Sequence, residues 1–140
     1  MFWDSSALVP LLFPESRSAA LAQVAASDRE FTIWWSAPVE CQAAAYRRDR
    51  DVALPKGAVE RAFERLREMV DDADVVAPTT DVRTRAGRLL ALHPLRAADA
   101  LQLAAALIWC EEQPAGESFV CLDARLREAA AREGFLILPA

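Results

Sequence analysis

Four carboxylates in this chain stand where a carboxylate is costly. They are Asp4 in MFWDSSAL, Glu40 in WWSAPVECQAAA, Asp99 in LRAADALQLAAAL and Asp123 in FVCLDARL. An isolated ionised acid in an apolar setting normally neutralises, finds a partner or holds a metal. Each has a local explanation when taken alone. Asp4 and Asp123 suit helix N-caps, and Glu40 suits a first turn favoured by the helix dipole. Asp99 has the weakest excuse, because Leu103 and Ala106 extend its helical face and make it apolar. Together the four point to one shared site. Like charges about 4 Å apart cost about 4 kcal/mol per pair at an effective dielectric of about 20. Such a cluster traps protons or binds a cation. Oxygen ligands favour a hard ion, Mg²⁺ with Mn²⁺ as a substitute. Mg²⁺ keeps several waters, leaving room for a phosphate oxygen and an attacking water, so the natural reaction is phosphodiester hydrolysis.

The elements that must position these acids alternate between short strands and helices. Phe2-Trp3 reads as a strand stopping at Asp4, followed by a helix over Ser5 to Leu12 and another over Glu15 to Ala26. Phe31 to Trp35 is β-branched and aromatic, and Pro38 suits the first turn of the next helix. Pro55 begins a long helix in which Val59, Ala62, Phe63, Leu66, Met69 and Val70 recur at helical spacing. Its charged face, from Glu60 to Glu68, predicts helical ion pairs. Val75-Val76 is a short strand, and Thr79 or Thr80 caps a helix to about Leu92. Ala97 to Cys110 is apolar nearly all round and reads as a central helix. Phe119 to Leu122 is a strand, Ala124 to Arg132 a helix with Gly134 at its C-cap, and Phe135 to Leu138 a last strand. This alternation predicts an α/β fold, a short parallel central sheet with helices on both faces. Ligands of open parallel sheets bind beyond the carboxyl ends of the strands, and chain order places all four acids there.

Composition sets the frame. The chain has 140 residues, 54% hydrophobic and 26% charged, consistent with a single domain spanning 1–140. A formal net charge of −5 does not announce a nucleic-acid binder. Arginine nonetheless dominates the basic set, with Lys56 the only lysine. Arg17, Arg47, Arg48, Arg50, Arg83, Arg85 and Arg88 are candidates for a basic rim. Cys41, Cys110 and Cys121 form no C-x-x-C and read as reduced core residues of a cytoplasmic protein. His93, the only histidine, reads as structural. No segment is long and apolar enough to span a bilayer, and the N-terminus lacks the basic region of a signal peptide.

MFWDSSALVPLLFPE, WWSAPVECQAAAYRR, LHPLRAADALQLAAAL and FVCLDARLREAAAREGF, in that order, resemble the PIN domain of VapC-type toxins. The most specific pieces are R-x-x-D-A-L-x-L-A around Asp99 and L-D-x-R-L-x-x-A-A after Asp123. The resemblance implies a Mg²⁺-dependent endoribonuclease, active as a homodimer and silenced by a cognate antitoxin. It matches Asp4, Glu40, Asp99 and Asp123 to the acidic site, with Asp4, Asp99 and Asp123 holding metal and Ser6 supporting the first acid. Cys121 stands where such domains often carry a hydroxyl or small residue and reads as tolerated packing. Arg96, three residues before Asp99, either restrains that acid, grips a phosphate or is simply exposed. The Trp34-Trp35 pair reads as core on a doubly covered sheet, or as a surface for RNA or a partner. Two other functions compete: a catalytically silent PIN-like binding module and a phosphoacceptor signalling domain, which would need a lysine beside the acids.

Overall fold

Strand side chains alternate between two cores, and that alternation builds the molecule. The computed structural model describes residues 1–140. Its strands are β1 (Phe2–Trp3), β2 (Thr32–Trp34), β3 (Asp74–Val76), β4 (Ser118–Val120) and β5 (Leu136–Leu138). They form one sheet of order β3-β2-β1-β4-β5 in which every neighbouring pair is parallel. The helices are α1 (Ser5–Leu12), α2 (Ser18–Ser27), α3 (Ala37–Val52), α4 (Ala58–Asp71), α5 (Thr80–Leu92), α6 (Ala97–Trp109) and α7 (Ala124–Glu133).

Phe2, Trp34 and Phe119 point to one face and pack with α5, α6 and α7. Trp3, Ile33 and Val120 point to the other and pack with α1, α2, α3 and α4. Successive strand residues face opposite sides, so the short inner strands β1, β2 and β4 serve both cores. The fold is therefore the α/β arrangement the sequence implies, a parallel sheet covered on both faces. Helix α6 is the central helix, with Ala100 and Leu103 to Ala106 wholly buried.

Three local expectations are corrected. Helix α2 starts at Ser18 rather than Glu15, because the Ser18 hydroxyl accepts from Glu15 N–H at 2.8 Å and donates to the Pro10 carbonyl at 2.6 Å, holding a turn. Helix α4 starts at Ala58 rather than Pro55, since Gly57 takes a left-handed φ of 78° ahead of it. The charged face of α4 forms no ion pairs. The one i,i+4 pair in the chain is Arg132–Glu128 on α7.

All strands run the same way, so their carboxyl ends share one edge. Central β1 pairs with β2 on one side and β4 on the other. The segments leaving these three strands carry Asp4, the start of α3, and Asp123.

Candidate active site

Asp4 leaves β1 as the N-cap of α1. Its own N–H donates to the Val120 carbonyl at 2.9 Å, so the acid is locked to the end of β4 as well. The side chain is only 4% exposed. Oδ2 accepts from Ser6 N–H at 2.9 Å, from the Ser6 hydroxyl and from the Cys121 thiol at 3.5 Å. Oδ1 has no partner within the chain. Burial pushes Asp4 up to about 6 against the lowering effect of the Ser6 donors, and the charge of Glu40 adds to the rise.

Asp123 repeats the device at the end of β4. It caps α7 by accepting from Leu126 N–H through Oδ1 at 2.9 Å, leaving Oδ2 uncommitted. Ser6 joins the two aspartates, because its hydroxyl also accepts from the N–H groups of Leu122 at 2.9 Å and Asp123 at 3.3 Å. Asp99 lies in the first turn of α6, where Oδ2 accepts from Arg96 N–H at 3.3 Å and Oδ1 stays free. Burial raises the Asp99 carboxyl above its usual value, and the charge of Asp123 adds to that effect.

Glu40 is held differently. Its Oε1 accepts from the Ser36 hydroxyl at 2.8 Å, while Oε2 accepts from the Ser5 hydroxyl at 2.8 Å and from Gln102 Nε2 at 3.1 Å. The three donors come from α1, the start of α3 and α6, so Glu40 sits where the two helical layers meet over the sheet edge. Gln102 is 1% exposed and its Oε1 has no partner. A buried amide on an otherwise apolar helix was the signal for it in the sequence. Ser5 and Ser36 carried no comparable signal.

Cys121 is more than packing. Burial and the charge of Asp4 push its thiol up, keeping it a neutral donor to that acid. It adjoins the Ser6 hydroxyl at 3.6 Å. Residue 121 lies just past β4, its N–H still donating to the Leu138 carbonyl at 3.0 Å, and the run FVCL does not reveal its contact with Asp4. Arg96 contacts Asp99 through its backbone and forms no ion pair with it. Its side chain instead lines a cleft of about 490 Å³ with Ser5, Glu40, Arg47 and Asp99. Of the other rim candidates, Arg48 pairs with Glu15, and Arg85 pairs with Glu112 and Glu133. His93 is structural, its Nε2 lying 2.6 Å from Glu133. Trp34 is core, but Trp35 is 58% exposed.

None of the four acids takes part in an ion pair. No three acid, cysteine or histidine side chains gather closely enough to hold an ion among them as they stand. The donor set still suits a hard cation: three aspartates each keep one free oxygen, and no arginine forms an ion pair with them, although the charges of Arg125 and Arg96 are felt at Asp99. Mg²⁺ needs only one or two carboxylates, with waters completing its shell.

A family profile described as the PIN domain matches residues 1–132. The chain belongs to the PIN domain family. PIN domains are generally nucleases and usually employ divalent metal ions. No curated protein matches the chain. No helix of this PIN domain is long and apolar enough to cross a membrane.

Proposed function

We propose that this PIN domain, a single unit over 1–140, is a Mg²⁺-dependent endoribonuclease and the toxin of a type II toxin–antitoxin pair. The observation that carries the nuclease reading is the set of four acids at one sheet edge, none in an ion pair and three of them with an uncommitted oxygen. Asp4, Asp99 and Asp123 would hold Mg²⁺ or Mn²⁺. That ion supplies, when bound, polarisation of a phosphodiester oxygen and a lowered pKa for an attacking water. Asp99 lines the cleft and keeps Oδ1 free for that ion. Glu40, fixed by three donors, positions the edge, and Ser6 aligns Asp4 with Asp123. Arg47 and Arg96 line the same cleft and suit a phosphate. The toxin role, the cognate antitoxin, the homodimer and the cytoplasmic setting rest on the VapC-type motifs.

RNA cleavage by the purified protein tests this reading. Activity is expected with Mg²⁺, absent in EDTA, and abolished in Asp99→Asn with the fold intact. Cleavage by that variant with purified Mg²⁺ would overturn it. The acids' looseness favours one other reading, a silent PIN-like binding module. A melting temperature unmoved by millimolar Mg²⁺ or Mn²⁺ would support that module, since a ligand of the folded state alone raises it. The phosphoacceptor alternative loses its basis, because Lys56 lines a separate hollow beside Tyr46 and Phe63.

A further inference from the structure

An exposed tryptophan is a costly surface residue, and Trp35 stands beside the acids rather than at random. It follows β2 directly, and its N–H donates to the Val76 carbonyl at 3.2 Å, so its backbone is fixed at the carboxyl edge of the sheet. With Trp34, Ser36, Thr80, Arg83 and Leu101 it lines a hollow of about 420 Å³. The hollow adjoins the acid site through one residue, since Ser36 donates to Glu40 at 2.8 Å.

The wall chemistry is mixed in a particular way. Trp35 offers an aromatic face and Leu101 an apolar one. Trp34 backs the hollow from the core, 4% exposed, with its unpaired indole N–H buried. Opposite lies the start of α5, where Thr79 accepts from Val82 N–H at 3.3 Å. The N–H groups of Thr80 and Asp81 find no acceptor. Free amides at a helix start attract anions, and the Arg83 guanidinium adds a full positive charge, countered in part by Asp81. An aromatic plate beside a phosphate-seeking corner fits a nucleotide.

We propose that this hollow binds an unpaired nucleotide of the RNA strand next to the scissile phosphate, its base stacked on Trp35 and its phosphate held by Arg83 and the α5 start. This rests on the nuclease reading above. It makes single-stranded or looped RNA the substrate, because a base inside a duplex cannot present its face to an indole.

The test measures binding of a short fluorescein-labelled single-stranded RNA of mixed sequence, and of its duplex, in EDTA to prevent cleavage. Trp35→Ala is expected to weaken single-strand binding about 5- to 150-fold, the range for one stacked base. Trp35→Phe keeps an aromatic face and is expected to retain most of the affinity. Arg83→Gln is expected to lower the slope of log affinity against log salt by about 0.7, one phosphate contact on a single strand. Unchanged single-strand affinity in Trp35→Ala, an equal loss on duplex, or no RNA binding by the wild type each overturns the subsite. Trp35-dependent binding without cleavage under any divalent ion upholds nucleotide binding in the hollow and refutes the nuclease reading. Cleavage indifferent to Trp35 does the reverse.

Discussion

Replacing Asp4 with asparagine separates the cost of the buried acid from its use. Asparagine has the same shape, caps a helix as well as aspartate, and cannot ionise. Burial raises the Asp4 carboxyl from 3.8 to about 6 in the metal-free fold. At about 1.4 kcal/mol per pH unit, that gap amounts to about 3 kcal/mol. The sign follows from linkage. The folded chain keeps this proton after the unfolded chain has released it, so the contribution is fully present below 3.8 and lost as pH rises through about 6. Wild type and Asp4→Asn should thus be nearly equal in stability at about pH 4, with the variant ahead by up to about 3 kcal/mol above about pH 7. Urea unfolding in EDTA across that range measures the difference, because it is a comparison at each pH and cancels other titrations. A gap that does not change with pH, or a wild type that stays ahead at about pH 8, would show that Asp4 carries no such burial cost. Mg²⁺ supplies the second arm. A ligand at about 100 times its Kd stabilises the fold by about 2.7 kcal/mol, enough to offset the ionisation cost, so saturating Mg²⁺ should close the gap while the variant stays inert in RNA cleavage.

Three further outcomes are expected. Ser6→Ala removes the acceptor of two backbone N–H groups and a donor to Asp4, so it should lower stability by about 2–4 kcal/mol in urea unfolding and abolish cleavage. Gln102→Leu deletes a donor to Glu40 but also an unpartnered buried oxygen. Its melting temperature should hold while kcat falls about tenfold or more, at about 1.4 kcal/mol per tenfold, and a parallel loss of both would make the residue merely structural. Gly134→Ala places a Cβ 3.3 Å from Pro114 at a φ of +109°, and should cost about 1–3 kcal/mol in thermal unfolding without changing activity per folded molecule.

Local chemistry explains which parts of this structure were legible in the chain. Helix α1 and the cap Thr79 were readable because polar and apolar residues switch abruptly there. Asp4 was readable because it directly follows a two-residue strand, and Asp123 because it caps the helix that follows β4. Side chains acting across elements were not. Ser5 and Ser36 look like ordinary helix-start residues until α3 and α1 bring both hydroxyls onto Glu40. The α4 face suggested ion pairs from spacing alone, yet exposed long side chains gain little from pairing in water. The register of the two tryptophans was also hidden. Only the β2–β3 pairing shows that Trp34 enters the core and Trp35 faces outward.

A cap and a metal ligand are usually opposed explanations for an acid after a strand, and here they are compatible. In Asp4, Asp99 and Asp123 one carboxylate oxygen binds nearby backbone N–H, which fixes the side chain and leaves the second oxygen aimed by the first. Aspartate is short enough for this arrangement. Glu40 is longer and sits inside its helix, and three side chains from separate elements use both of its oxygens. The aspartates are therefore set by local folding, whereas Glu40 is set only when α1, α3 and α6 have closed over the sheet edge. Gln102 spans that closure, donating from the α6 layer to an acid of the α3 layer. On the proposed nuclease reading, this distinction would give the aspartates to the cation and Glu40 to the integrity of the edge. It also implies that loosening the α3–α6 junction impairs cleavage before it impairs capping of α1 or α7.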